Sequence, residues 1–296
     1  MTIVDEIFNE AGNNKLEETK QFNKEEWAAQ KKQEKESIYQ MIDQSALEFA
    51  GNADYLKKVL DVVAQFDRYS AGNILLIAKQ RPDATKLANF DGWKDAGVHV
   101  KKGESGILML GPGQEYEKSD GSVGVNYTVK KMFDISQTSA QKREPVVSAD
   151  ARFLLKCLLH NAPCDVTVNE DVRYPNGKNT VYDAKQNTIF VRHGSTEKRL
   201  FQELSQQITV AWLDKTNYSL PDKEFVAACT SYILCKRNHL EPPDLWFEKL
   251  AQKASFENPK DIRRSLEKIR EMASGIVQNM KQFQKTHDKN RDDGAR

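Results

Sequence analysis

The chain has 296 residues, of which 29% are charged and 39% hydrophobic, and its formal net charge is +1 at pH 7. This length accommodates two modest domains with separate cores and additional tails. A net charge near zero argues against an acidic mimic of DNA. It does not exclude nucleic-acid binding, because a binding groove needs a local positive field rather than a basic protein.

The hydrophobicity and cysteine patterns indicate where the protein is located and argue against some kinds of fold. Because no apolar run reaches about 18 residues and the N-terminus is polar, we expect a soluble, cytoplasmic protein with no membrane partner. The four cysteines form no Cys-x-x-Cys pair, which supports neither a zinc ribbon nor a disulfide framework. We expect them to be reduced and mostly buried.

The N-terminal region divides into a charged segment and an amphipathic helix. Residues 1–37 are rich in Glu, Lys, Gln and Asn. This composition can form a charged helix but cannot bury one, so we expect a mobile segment with Trp27 as its only anchor. Apolar side chains then recur at helical spacing from Leu56 to Phe66. This spacing predicts a helix over residues 52–67.

The next segment begins with a second helix. The wholly apolar run Ile74–Ile77 predicts a helix buried in a core. Trp93 lies on a short amphipathic segment that ends at Gly97, and the alternation from Val98 to Val100 predicts a strand.

A β-hairpin is expected after this strand. The basic turn at residues 101–103 leads into a strand over Ile107–Leu110, which the sequence Gly111-Pro112-Gly113 is expected to break. Asp120-Gly121 is a hairpin turn signal, and the returning strand covers residues 123–133.

Planar, amide and cationic side chains collect in this region. Residues 68–102 contain seven Lys or Arg and three Asp. A single nucleic-acid strand exposes phosphates and base faces, so this pattern is typical of its binders. We expect Tyr69 and Trp93 to stack on bases, although both could equally be core aromatics, with Lys101-Lys102 an ordinary solvated turn. The candidate DNA-binding residues are Arg68, Tyr69, Asn73, Gln80, Arg81, Trp93, Lys94, Lys101, Lys102, Lys130 and Lys131.

The segment from Tyr69 to Thr138 resembles the N-terminal domain of the ArdC family of antirestriction proteins. That family's motif reads approximately YSxxNxLLIxxQxPxAT, then W, G, a KGExGI turn and a VFDxxQT strand. Matching residues are Tyr69, Ser70, Asn73, Leu75, Leu76, Ile77, Gln80, Pro82, Ala84, Thr85, Trp93, Gly97, Val100, Lys102, Gly103, Glu104, Gly106, Ile107, Pro112, Phe133, Asp134, Gln137 and Thr138. The resemblance implies single-stranded DNA binding in a plasmid, phage or conjugative element.

The second half contains a different order of elements. Residues 139–147 are predicted to be a linker, followed by a helix over 148–160 and a strand near 166–168. A hairpin over 180–192 and two helices, about 195–213 and 222–239, complete the pattern. A helix, a hairpin and two long helices are the minimal order of a zinc metallopeptidase with an HExxH motif.

The resemblance also implies an altered metallopeptidase site. In the ArdC family this region carries HELAH, and a downstream Glu in an ExxAE motif supplies the third ligand. Here the aligned residues are Gln202, Glu203, Gln206 and Glu224. Because carboxamides are poor zinc ligands, we expect no metal, no other cofactor and no catalytic residue. His193 folding back as a ligand is an alternative, and so is a plain polar helix face.

The C-terminal region predicts one long amphipathic helix. Its apolar stripe runs from Ile262 to Phe283, behind a start signal at Asn258-Pro259. The stripe either packs on the second domain or pairs with a protein partner. Residues after about 285 are expected to be disordered.

These patterns together predict an α+β protein. A mobile segment (1–37) precedes a mixed helix and antiparallel-sheet DNA-binding domain (38–140), a small zincin-like domain (148–255), and a helix with a disordered tail (256–296). The predicted role is sequence-independent binding of single-stranded DNA, with antirestriction protection of incoming DNA implied by the resemblance. The alternatives are a metal-dependent peptidase with unusual ligands and a non-catalytic adaptor that binds another protein.

Overall fold

The computed structural model describes residues 23–140, 150–175, 177–218, 221–243, 249 and 256–294. The chain divides into two units between Ser37 and Ile38. Most of the predicted mobile segment and of the predicted linker lies outside the described residues. Within the part that is described, no helix is long and apolar enough to cross a membrane.

Three helices open the described chain. Helix α1 (Lys24–Gly51) is mostly exposed up to Ser37, and Trp27 has half of its surface in solvent. Helices α2 (Ala53–Gln65) and α3 (Ala71–Gln80) follow the predicted periodicity, with Asn52 and Ser70 as their N-caps. These caps satisfy amides that the first turn of a helix leaves without partners. The two predicted helices are therefore confirmed.

The first sheet contains three antiparallel strands in the order β1-β3-β2. Its strands are β1 (Leu87–Ala88), β2 (Ile107–Glu117) and β3 (Val123–Asp134), with α4 (Phe90–Asp95) between β1 and β2. Strand β2 lies at the edge of this sheet.

Two strand predictions in this sheet are wrong. Strand β2 does not end at Gly111-Pro112-Gly113 but continues to Glu117, with a register shift between Pro112 and Glu115. An edge strand tolerates this proline because the missing N–H removes no bond from the ladder on its paired side. The strand expected at Val98 and Val100 is a single bridge between Val100 and Thr138, after a turn at Gly97 with φ of 72°.

Two amide side chains of α3 hold the free edge of β2. Asn73 donates from Nδ2 to the Leu110 carbonyl (2.8 Å) and accepts from the Leu110 amide (2.9 Å). Gln80 does the same with Leu108, at 2.9 and 2.8 Å. Each amide thus replaces the backbone partner that a neighbouring strand would supply.

The second sheet has the order β4-β6-β5, with β4 (Asp165–Val168) parallel to β6 (Thr188–Val191) and β5 (Thr180–Asp183) antiparallel to it. Helix α5 (Ala151–Leu159) precedes it, and helices α6 (Glu197–Lys215) and α7 (Lys223–Arg237) follow it. The predicted hairpin and both helices are confirmed, and the fold is α+β.

The C-terminal helix α8 (Pro259–Gly294) packs inside the molecule. Ile262, Leu266 and Ile269 are at most 1% exposed and share a core cluster with α2 and α3, whereas Ile276 and Met280 join a second cluster with α5 and α6. The stripe is therefore occupied by intramolecular contacts. The first cluster also contains α7 residues, so residues from all of the predicted domains from 38 onward contribute to one core. Helix α8 continues to Gly294, so the disorder expected after about residue 285 is not what the structure shows up to that residue.

Replacement of Gln80 by alanine tests the edge-strand contact. Gln80→Ala leaves the Leu108 amide and carbonyl without partners, so we expect the free energy of unfolding to fall by about 1–3 kcal/mol. Lys79→Ala is the matched control, because it removes an exposed ion pair with Glu48 and a cation–π contact with Tyr55, and should change stability by less than about 1 kcal/mol. Equal denaturation midpoints for the two variants would contradict the role given to Gln80.

Candidate nucleic-acid interface

An open groove of about 570 Å³ lies where the loop before α3 faces strands β2 and β3. Its floor is apolar and includes Met109, Leu110, Pro112 and Met132. Three tyrosines and two cations surround this floor: Tyr39, Tyr69, Tyr127, Arg68 and Lys130. No carboxylate is found among the described residues that line the groove.

The tyrosines differ in how much ring they present. Tyr39 and Tyr127 are 38% and 49% exposed. Tyr69 is half-buried, and its ring packs against Phe66 with centroids 5.6 Å apart. Burial raises the pKa of the Tyr69 phenol, so the ring is neutral at physiological pH and does not repel phosphate.

Both cations line the same groove as these rings. Arg68 is exposed and directly precedes Tyr69 in the loop between α2 and α3. Lys130 extends across β2 at Gly111, where a Cβ would lie 2.6 Å from Lys130 Cδ. A side chain at position 111 would therefore require the lysine stem to shift. Flat rings beside cations and an apolar floor are suited to unpaired bases and their phosphates.

Sequence reasoning missed Tyr39 and Tyr127. Tyr39 belongs to α1 and Tyr127 to the middle of β3, so neither lies within the cation-rich stretch of residues 68–102. The available signal for Tyr127 was its place among the exposed apolar residues Val123 and Val125 of the same strand.

Trp93 is a core residue rather than a stacking platform. It is 3% exposed, and its Nε1 donates to the Phe133 carbonyl at 2.9 Å. A buried indole usually needs such a partner, and this contact explains the position without any ligand. The structure therefore supports the core interpretation of Trp93 and removes it from the interface.

The remaining predicted contacts separate into three groups. Asn73 borders the groove and Gln80 does not, and the side-chain amides of both are engaged with β2. Arg81 and Lys101 both donate to Ser136, at 3.3 Å to Oγ and 3.1 Å to the carbonyl respectively. The exposed residues outside the groove are Lys94, Lys102 and Lys131.

The second half of the family motif forms a hydrogen-bonded turn. The carboxylate of the buried Asp134 accepts from the backbone amides of Thr85 (2.7 Å), Lys86 (3.0 Å) and Ser136 (2.9 Å). Gln137 accepts from the Asp134 amide and donates to the Ser105 carbonyl. These contacts join β1, the 101–106 turn and the end of β3.

Hydrogen bonding also sets the charge state of Asp134. Burial alone would raise the pKa of its carboxyl, but the hydrogen bonds from Ser136, Lys86 and Thr85 lower the pKa overall. A carboxyl with a lowered folded-state pKa contributes stability above its unfolded pKa, near 4, and loses it as pH falls through the folded value.

The altered helix places its polar residues against the edge of the second sheet. Glu203 accepts from the Asn179 amide at 2.7 Å and forms an ion pair with Arg199 at 2.9 Å. Lys178 approaches the Gln206 side-chain oxygen at 3.4 Å, whereas Gln202 donates to the Glu241 carbonyl at 2.8 Å. Glu203 and Gln206 therefore contact the same loop before β5, whereas Gln202 does not.

Glu224 lies at a different height along the helix axes from Gln202 and Gln206. Helices α6 and α7 meet at Ser205 and Ser231, whose hydroxyls are 2.8 Å apart. Glu224 precedes Ser231 by seven residues, or about 10 Å along the helix axis. The expectation that Glu224 approaches Gln202 and Gln206 is therefore wrong, because it belongs to the first turn of α7.

The donor set does not fit a zinc ion. The two carboxamides bond to other groups, and the Glu203 carboxylate is occupied by Asn179 and Arg199. Over the described parts of the chain, no three His, Cys, Asp or Glu side chains are grouped so as to hold a metal. The contacts of Glu203 and Gln206 instead hold α6 against the edge of the second sheet.

The pH dependence of folding tests the Asp134 turn. Asp134→Asn should lower the free energy of unfolding at pH 7 by about 1–3 kcal/mol, because it weakens charge-assisted bonds. The difference from wild type should shrink below about pH 4, where the wild-type carboxyl becomes protonated. Asp120→Asn is the control, since that exposed carboxyl bonds mainly to Ser122. A difference that is constant from pH 7 to pH 3 would contradict this role.

The altered helix has a direct chemical test. Protein purified without added metal should contain far less than one zinc per chain by elemental analysis, because none of its donors matches a tetrahedral site. The double variant Gln202→His, Gln206→His should not reach the affinity of a structural zinc site, since Glu224 is not at hand as a third ligand. Stoichiometric zinc in the wild-type protein would contradict this account.

The chain is similar to several known proteins. A family model described as the N-terminal domain of anti-restriction factor ArdC matches residues 29–153. The uncharacterized protein pXO2-81 of Bacillus anthracis is 23% identical over 321 aligned residues, covering 88% of this chain. The chain spans about half of that relative, 54% of its length.

Two crystal structures are also similar, both of the antirestriction ArdC protein from plasmid R388. The metal-free form has a TM-score of 0.47 at 16% identity, covering 72% of this chain and 86% of that one. The Mn(II)-bound form has a TM-score of 0.49 at 14% identity, covering 72% and 85%.

The family model includes the whole sequence motif. The motif residues from Tyr69 to Thr138 all lie inside the matched segment. Residues 29–153 are therefore similar to the N-terminal domain of anti-restriction factor ArdC.

Proposed function

We propose that the groove binds single-stranded DNA with little sequence preference. The supporting observation is the grouping of Tyr39, Tyr69 and Tyr127 with Arg68 and Lys130 around an apolar floor. Rings accept any base by stacking, and cations hold any phosphate, so neither group distinguishes sequence. The base faces of a duplex are stacked on one another and cannot stack on the tyrosines, so the groove should bind a single strand more tightly than a duplex.

The similarity to an anti-restriction family supports a proposal for the biological role. Its model describes an anti-restriction factor, and DNA of a plasmid, phage or conjugative element often enters a cell as a single strand. The proposal is that this protein, acting in the cytoplasm, covers such DNA and thereby limits its restriction.

The proposal assigns no peptidase activity to residues 148–255. Their order of elements is metallopeptidase-like, but the Glu203 carboxylate forms an ion pair with Arg199. Without a metal-activated water, a carboxylate has no nucleophile to deprotonate. These residues instead support the binding domain through the shared core.

A binding titration tests the proposal. Fluorescent oligonucleotides of equal length, single-stranded and duplex, are titrated with the full chain at two salt concentrations. The single strand should bind more tightly, and its affinity should fall with salt because phosphate contacts release counterions. Equal or tighter binding of the duplex would rule out the proposal.

Matched substitutions locate the site. Tyr127→Ala should weaken binding by about 1–3 kcal/mol, the range for one stacked base, whereas Tyr116→Ala removes a similarly exposed ring outside the groove. Lys130→Ala should reduce affinity and lower the salt slope by about one, whereas Lys131→Ala, which removes an exposed cation that does not line the groove, should not. Equal effects within either pair would place the DNA elsewhere.

A further inference from the structure

The loop that carries Arg68 and Tyr69 is held by residues from the far end of the chain. It connects α2, which ends at Gln65, to α3, which begins at Ala71. The described contacts at its two ends come from α7 and α8, outside the segment that matches the family model.

Arg237 of α7 holds the approach to the loop. Its Nη2 donates to the Val63 carbonyl (2.9 Å) and its Nε to the Ala64 carbonyl (3.1 Å). These carbonyls belong to the last turn of α2, where helix geometry leaves acceptors without intrahelical donors. The guanidinium therefore fixes the direction in which the chain leaves α2.

Two residues of α8 hold the loop itself. Arg270 donates from Nη1 to the Asp67 carbonyl at 3.0 Å, just before Arg68. Glu267 accepts from the Ala71 amide at 2.9 Å, just after Ser70. The two side chains also bond to each other, so they act as one ion-paired clamp on both sides of residues 68–70.

We propose that Glu267 and Arg270 are positioning residues for nucleic-acid binding, which make the C-terminal helix part of the binding site although it does not line the groove. The proposal depends on the proposed function of that groove. Because fixed residues lose less freedom when a ligand binds, a clamped loop raises affinity without contacting DNA. Residues of the C-terminal helix would thereby affect the DNA affinity of a groove that they do not line.

Charge gives this proposal a sharp test. Removing an acidic side chain near a DNA site should, through general electrostatics, strengthen binding. Loss of the clamp predicts the opposite: Glu267→Ala should weaken single-strand binding at least about fivefold, in the range of coupling between sites. Glu271→Ala is the matched control. It removes the same charge from α8 and breaks an ion pair of the same spacing, with Lys268 at 2.8 Å.

Two further readouts separate positioning from stability. Hydrogen exchange of residues 66–72 should accelerate in Glu267→Ala and not in Glu271→Ala, because the Ala71 amide loses its acceptor. Glu267→Gln should recover most of the affinity, since its amide oxygen still accepts that bond. If Glu267→Ala does not fold, Arg270→Gln is compared with Lys268→Gln, which removes the same charge, and the same fivefold difference is expected.

The outcomes are distinct. If the wild-type chain does not bind a single strand, the proposed function fails and this proposal fails with it. If the wild type binds but Glu267→Ala matches Glu271→Ala in affinity and exchange, or Arg270→Gln matches Lys268→Gln, only the clamp is refuted. A fivefold loss confined to the clamp variants supports it.

Discussion

The free backbone edge of strand β2 is the constraint on which the rest of the site depends. An edge strand in a protein of this size must be paired, covered or blocked, since its amides and carbonyls otherwise remain open to other chains. Here Asn73 and Gln80 cover it from α3, each with two bonds to one residue of the strand. Helix and strand are thereby fixed side by side, and the loop before α3 comes to face the strand and form the groove.

The second sheet uses the same solution. The edge strand β5 and the residue before it present the amides of Tyr182 and Asn179 to α6, where Gln207 and Glu203 accept them at 3.0 and 2.7 Å. These acceptors are four residues apart and so share one helix face. Glu203 therefore has a structural role at this sheet edge that requires no metal.

Local patterns predicted local structure well. The periodicity of α2, the apolar run of α3 and the Asp120-Gly121 turn depend on near neighbours, and each lies where it was expected. The site was harder to predict because it joins Tyr39, Tyr69 and Tyr127, which are remote in sequence. Asn73, Gln80 and Trp93 look like ligand contacts in a linear motif. Their polar atoms instead bond to backbone groups that are 37, 28 and 40 positions away respectively. Only the tertiary structure separates these two uses of the same side chains.

Photocrosslinking tests the central claim most directly, because it reports which rings touch a base. A single-stranded oligonucleotide containing 5-iodouracil is bound to the full chain and irradiated, and the modified residues are identified by mass spectrometry. The account predicts crosslinks at Tyr39, Tyr69 or Tyr127, reduced by excess unlabelled single strand and not by duplex. Crosslinks confined to residues outside the groove, such as Tyr116 or Phe90, would contradict it.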